Sequence, residues 1–168
     1  ASAQVATGIS GVVVFEAERA TTNTARGAHA WVFTNDLPVF SGTGFVRVLP
    51  DIGSNIQVNV TGTSPELVYP LSFSEAGTYR VWMRGYATGP NDDSVHYGLN
   101  GATSSAWNLN LSSNAWRWTN LNTSIGTAVM TVPSVGTHTF HLWMREDGLR
   151  VDRIALVTST TFKAAAGN

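Results

Sequence analysis

Apolar and polar residues alternate along most of this chain in short runs, each closed by glycine, proline, asparagine or serine, which is the period-two signature of half-buried β-strands. The runs cover residues 12–18, 45–49, 56–60, 67–73, 78–84, 95–99, 128–132, 140–144 and 149–157. Between the last two, Arg145-Glu-Asp-Gly148 carries the Asp-Gly dipeptide that favours a tight turn, so residues 140–157 are expected to form a β-hairpin. Residues 19–40 and 107–118 read as long polar loops. No segment keeps a helical period and no internal repeat is visible. The pattern predicts an all-β, two-sheet antiparallel β-sandwich. Residues 1–11 read as a lead-in, 12–157 as one domain and 158–168 as a tail or linker stub.

Alternation also assigns faces. On the returning strand Arg150, Asp152, Ile154 and Leu156 share one face, and Val151, Arg153 and Ala155 the other. An aspartate grouped with isoleucine and leucine needs a partner. In the first strand Glu16 and Glu18 project side by side, and two such carboxylates repel unless a cation lies between them. Calcium, which prefers carboxylate and carbonyl oxygens, suits that pair, with Asp152 as third ligand if the first and last strands are neighbours. An ordinary reading stands beside it: a solvated strand end neutralised by Arg19 or Arg153.

Composition narrows the function classes. Only 12% of residues are charged and 43% are apolar, which suits a turn-rich β domain with a surface of hydroxyls and amides. Net charge is −1, with nine scattered arginines and one lysine, so there is no footprint for nucleic acid or an anionic membrane. The absence of cysteine excludes disulfides, zinc-thiolate sites and thiol nucleophiles, and fits a bacterial exported protein. No run approaches membrane-spanning length and no signal peptide stands at Ala1, so the chain is expected to be a mature form or an excised piece.

Candidate chemistry is sparse. His29, His96, His138 and His141 lack metal-ligand spacing, and no nucleophile elbow, phosphate loop or His-Glu-x-x-His motif occurs. Glu146 and Asp147 are adjacent in a turn, without the separation that a glycosidase acid and base require. Asp92 and Asp93 either close an Asx-type turn or offer acceptors to a ligand's hydroxyls. The six tryptophans divide: Trp82 and Trp143 lie in alternating strands, whereas Trp31, Trp107, Trp116 and Trp118 lie in or beside polar loops. An indole face exposed there adheres to the C–H face of a sugar ring while neighbouring polar groups bond its hydroxyls. The competing reading folds each of them back over the core edge.

Several motifs in order, Phe15-Glu-Ala-Glu18, Gly42-x-Gly44, Glu66-Leu-Val-Tyr69, residues 76–84, Trp116-x-Trp118 and residues 145–156, resemble the non-catalytic carbohydrate-binding modules of families six and thirty-five, and the C-terminal modules of some large glycoside hydrolases. The resemblance implies a calcium-binding β-jelly-roll. Its metal ligands would be Glu16, Glu18 and Asp152, completed by backbone carbonyls between Ser41 and Gly44. Its sugar site, in loops at one end of the sandwich, would fall on Trp31, Trp116 and Arg150. Asparagine is frequent in these modules where Arg150 stands, and an arginine suits an acidic or sulfated sugar.

The expected function is therefore adhesion: a secreted bacterial module, monomeric, binding a polysaccharide through Trp31, Trp116, Arg150, Asp93, Trp118 and Trp107, and targeting a catalytic domain in the same parent chain. The alternatives are a small polysaccharide-active hydrolase or lyase, and a structural or adhesin sandwich without a sugar site.

Overall fold

The computed structural model describes residues 9–111, 114–123 and 125–162; the start of the expected lead-in, through Gly8, and the end of the tail, from Lys163, lie outside the described residues. In chain order the elements are β1 (Val12–Glu16), a 3-10 turn (Ala17–Arg19), β2 (Thr22–Thr24), β3 (Ala30–Thr34), β4 (Phe45–Leu49), the one-turn helix α1 (Val60–Thr63), β5 (Glu66–Phe73), β6 (Gly77–Tyr86) and β7 (Ser94–Leu99). They continue with β8 (Ala102–Asn108), β9 (Arg117–Thr119), β10 (Leu121–Asn122), β11 (Gly126–Thr127), β12 (Val129–Val132), β13 (Gly136–Met144) and β14 (Arg150–Val157). One large sheet runs β12-β6-β14-β4-β3, with β1 also on β14 and β9 on β6; the other runs β2-β5-β13-β7-β8, and β10 and β11 pair as a small separate ribbon. The chain is thus an all-β sandwich of two antiparallel sheets, as the alternation predicts.

The core lies between the sheets. Val13, Phe15, Val46, Val48, Val81, Met83, Ile154 and Leu156 face it from one side, and Leu67, Tyr69, Leu71, Phe73, Val95, Tyr97, Phe140 and Leu142 from the other. Each such side chain stabilises the fold by roughly 1.5–3 kcal/mol relative to exposure. No helix among the described residues is long and apolar enough to cross a membrane.

The expected hairpin at residues 140–157 is not one. β13 pairs with β5 and β7, and β14 with β1, β4 and β6, so residues 145–149 carry the chain from one sheet to the other. Asp147 and Gly148 do form the expected turn, Gly148 at φ +80, but the Asp147 carboxylate also accepts the backbone N–H groups of Ile52, Gly53 and Ser54 at 2.9–3.1 Å and meets His29 Nε2 at 3.2 Å. It thereby fastens a strap, residues 50–64. The strap replaces the expected strand at 56–60: Val58 is 79% exposed, and Ile56 instead bonds Arg145 O through its N–H and accepts from His96 through its carbonyl.

A second correction concerns faces. The pairing of β14 with β6 shifts register between Val151 and Arg153, a bulge that moves Val151 onto the same inward side as Ile154 and Leu156 and frees Asp152 from the core row. Strict alternation across residues 150–156 cannot register one extra residue. The expected loop at 19–40 also contains β2 and the edge strand β3, and the expected loop at 107–118 contains the end of β8 and β9.

Candidate functional site

Two features adjoin each other on the outer face of the larger sheet. The first is an acidic strand end. β1 stops at Glu16 and the 3-10 turn carries Glu18, so the two carboxylates reach the loop 41–43 from consecutive elements and not as neighbours on one strand. Ser41 Oγ donates to Glu16 Oε1 at 3.0 Å, Thr43 donates to Glu18 Oε1 from its N–H (3.0 Å) and its hydroxyl (3.1 Å), and Ser41 N–H donates to Asp152 Oδ1 at 2.9 Å. Gly42 has φ +64, and a β-carbon there would strike Glu18 Oε1, so glycine is required at this approach. Gly44 has a different reason: a β-carbon would meet Thr34 O and the Phe33 ring.

The other oxygens of this pair, Glu16 Oε2 and Glu18 Oε2, are buried and have no hydrogen-bond partner among the described residues. Burial raises the Glu16 pKa, against the Ser41 hydrogen bond and the Arg153 charge, whose Nε stands 3.1 Å from Oε1. Asp152 is fully buried, and burial pushes its pKa up as well; its second oxygen is ion-paired with Arg84. Both Asp152 oxygens are therefore committed, and among the described residues no three acidic or histidine side chains converge as a ready metal cluster. What fits a hard cation is the pair of orphaned glutamate oxygens beside a hydroxyl-bearing loop; Asp152 anchors that loop.

The second feature is an open cleft of about 370 Å³ lined by residues 37–39 on one side, Asn114, Ala115 and Trp116 on the other, and Arg84 and Tyr86 at its base. Arg84 and Tyr86 point outward because β6 alternates them with the inward Val81 and Met83. Trp116 is half-buried, donates Nε1–H to Pro38 O at 3.0 Å, and packs edge-on against Phe45 (5.0 Å) and Tyr86 (5.6 Å). Arg84 lies over the Trp116 ring at 5.4 Å.

Arg150 stands on the far side of Tyr86, 5.3 Å over its ring, with Asp92 at 3.9 Å and Arg47 directly opposite on β4. Burial, then Arg47, lowers its pKa. Arg150 is almost wholly buried and does not line the cleft, and Arg47 Nε is buried without an acceptor among the described residues. Asp92 closes its own turn, accepting from Thr88 N–H and Oγ1 and from Gly89 N–H at 2.6–2.8 Å.

The remaining expected sugar residues are placed elsewhere. Trp31 is in β3, buried in the core, with Nε1–H bonded to Pro65 O at 3.1 Å; Trp107 is fully buried in β8 and bonds Leu121 O at 2.8 Å. Neither offers a face, because each indole packs inward from an edge strand. Asp93 is buried, its pKa raised to about 6 by burial and the Glu146 charge, so it does not present acceptors to solvent. Trp118 is half-buried opposite Arg84 on β9, outside the cleft lining. Of the expected set only Trp116 lines the cleft. Arg84, Tyr86 and the 37–39 wall were missed, although the outward stripe Arg80, Trp82, Arg84 and Tyr86 on a strand with an apolar inner face was a readable signal.

Known proteins show the same architecture. The GH26-CBM35 β-(1,4)-mannanase of Podospora anserina aligns over 92% of this chain and 29% of its own at 18% identity, with a TM-score of 0.64. A family 35 carbohydrate binding module from Clostridium thermocellum aligns over 88% of this chain and 98% of its own at 14% identity, with a TM-score of 0.59. At this identity the likeness concerns the fold. A curated relative from Formosa agariphila, an uncharacterized protein, is 28% identical over 142 residues, and the chain spans only 34% of its length. Residues 9–167 match the family described as the glycosyl hydrolase family 115 C-terminal domain, and the chain belongs to that family.

Proposed function

We propose that this domain is a non-catalytic carbohydrate-binding module that holds an attached polysaccharide-degrading enzyme on its substrate. The observation that carries the reading is the open cleft in which Trp116, Tyr86 and Arg84 meet the apolar wall of residues 37–39. An aromatic platform beside an exposed amide, that of Asn114, is what a pyranose ring needs: an apolar surface for its C–H face and polar atoms for its hydroxyls. Arg47 and Arg150, paired across strands, face Asp51 and Asp92 and do not line the cleft, so they do not select an acidic sugar over a neutral one there. No bond is broken, and an affinity in the range of about micromolar to millimolar is expected from so small a contact.

Calcium is the cation we assign to the Glu16 and Glu18 pair. The orphaned carboxylate oxygens support it, and the Ser41 hydroxyl and carbonyls of the 41–43 loop would complete the oxygen shell. Glu16 and Glu18 would hold the cation, which would supply positive charge at the strand end, and Asp152 holds the loop. Sparse charge and the lack of cysteine suit a secreted bacterial protein.

Gel retardation on a panel of neutral, uronate-containing and sulfated polysaccharides tests the binding reading. Retardation by at least one polysaccharide of the panel is expected. Release of reducing ends by the isolated chain would replace this reading with an enzymatic one.

A further inference from the structure

Arg84 belongs to both features at once. Its Nη1 is ion-paired with Asp152, its Nη2 donates to Val39 O at 2.9 Å, and its guanidinium covers Trp116 at 5.4 Å. It is buried, and its Nε has no acceptor among the described residues, so the side chain is held by these contacts. Asp152 in turn holds Ser41, whose hydroxyl bonds Glu16, and Thr43 two residues on bonds Glu18. One loop, residues 37–43, therefore forms a wall of the cleft at its start and a wall of the acidic pocket at its end.

We propose that Arg84 is a positioning residue that couples the acidic pocket to the cleft, so that a cation between Glu16 and Glu18 orders the sugar-binding wall and a bound sugar tightens the cation. The inference rests on the cation and sugar readings above. Fixing Glu16 and Glu18 fixes residues 41–43; residue 41 fixes Asp152; Asp152 fixes the guanidinium; and the guanidinium fixes Val39 O and the Trp116 ring. The wall at 37–39 is also tied to the pocket through the chain itself. The wall at 114–116 reaches it by two routes, through Arg84 and through the Trp116 Nε1–H bond to Pro38 O, and removing the first is the diagnostic change. Because binding free energies couple reciprocally, the effect must appear in both directions and by the same factor, typically about 5- to 150-fold.

Amide hydrogen exchange with calcium alone as the probe tests this in the 168-residue chain. Calcium should slow exchange at residues 41–43 and also at 114–118. In Arg84→Lys, which keeps a charge beside Asp152 but not the planar, two-armed contact, protection at 41–43 should persist and protection at 114–118 should fall below that of the wild type; equal protection in the two proteins would assign the coupling to the Trp116–Pro38 bond and overturn the role of Arg84. Calcium should likewise strengthen polysaccharide retardation at least fivefold in the wild type and by a smaller factor in Arg84→Lys. Protection of 41–43 without any response at 114–118 in the wild type would overturn the coupling and leave the cation reading standing. No protection anywhere would overturn both. A calcium response at 114–118 in a protein that no polysaccharide retards would establish the coupling and remove the sugar reading. Should Arg84→Lys fail to fold, Arg84→Gln and the wild-type exchange pattern decide the matter.

Discussion

Asp93 sits among like charges: it is buried beside Glu146 and near Asp92, and one of its oxygens, Oδ1, has no donor among the described residues. Its pKa is raised to about 6, above the ordinary carboxylate range. The folded state therefore keeps a proton that the unfolded state has lost, and Asp93 favours folding progressively as pH falls from above 6 towards 4. Asp93→Asn should accordingly melt higher than the wild type at pH 7.5, with the difference closing as pH falls below about 6. A difference that stays constant with pH would contradict this. Single residues were unevenly legible in the sequence. Glu16 and Asp152 could be found because carboxylates in apolar strands need partners, and the loop around Ser41 supplies them. The loop tryptophans could not be sorted, since Trp31 and Trp116 sit in similar polar stretches and only tertiary packing buries the one and leaves the other at the cleft.

The strap at residues 50–64 owes its course to one carboxylate. Burial would raise the pKa of Asp147, but donors from Ile52, Ser54, His29 and Gly53 outweigh it, and the net shift is downward. Its contribution to stability is thus complete above the ordinary carboxylate pKa of about 4 and is lost as pH falls through the depressed folded value. Asp147→Ala leaves three backbone N–H groups without their acceptor and should cost about 3 kcal/mol or more in urea denaturation at neutral pH, with faster exchange at residues 52–54. A loss below about 1 kcal/mol would mean that water replaces the carboxylate readily. The strands β5 and β6 were legible because buried positions alternate with less buried ones over most of their length, and β4, β7 and β13 because apolar residues recur along them, although β7 is buried on both faces. The strap, the bulge at Asp152 and the crossing between sheets were not, because each depends on a side chain or register shift that sequence periodicity does not encode.

At the scale of the molecule, two sheets clamp a core while the outer face of the larger sheet carries an acidic pocket and an aromatic cleft that share one loop and one arginine. A ligand bound only to the native state raises the melting temperature. Calcium should therefore raise it and a chelator lower it, in the wild type but not in Glu16→Gln/Glu18→Gln; an unchanged transition would remove the cation from the account. The fold itself was legible from alternation and turn chemistry, whereas the cleft assembles from residues far apart in sequence. The central claim, that this cleft binds polysaccharide, is tested most directly by affinity electrophoresis of the wild type and Trp116→Ala on the polysaccharide that retards the wild type most. At least a tenfold loss of affinity, about 1.4 kcal/mol, is expected in a variant that still melts cooperatively. Equal retardation of the two proteins would contradict it.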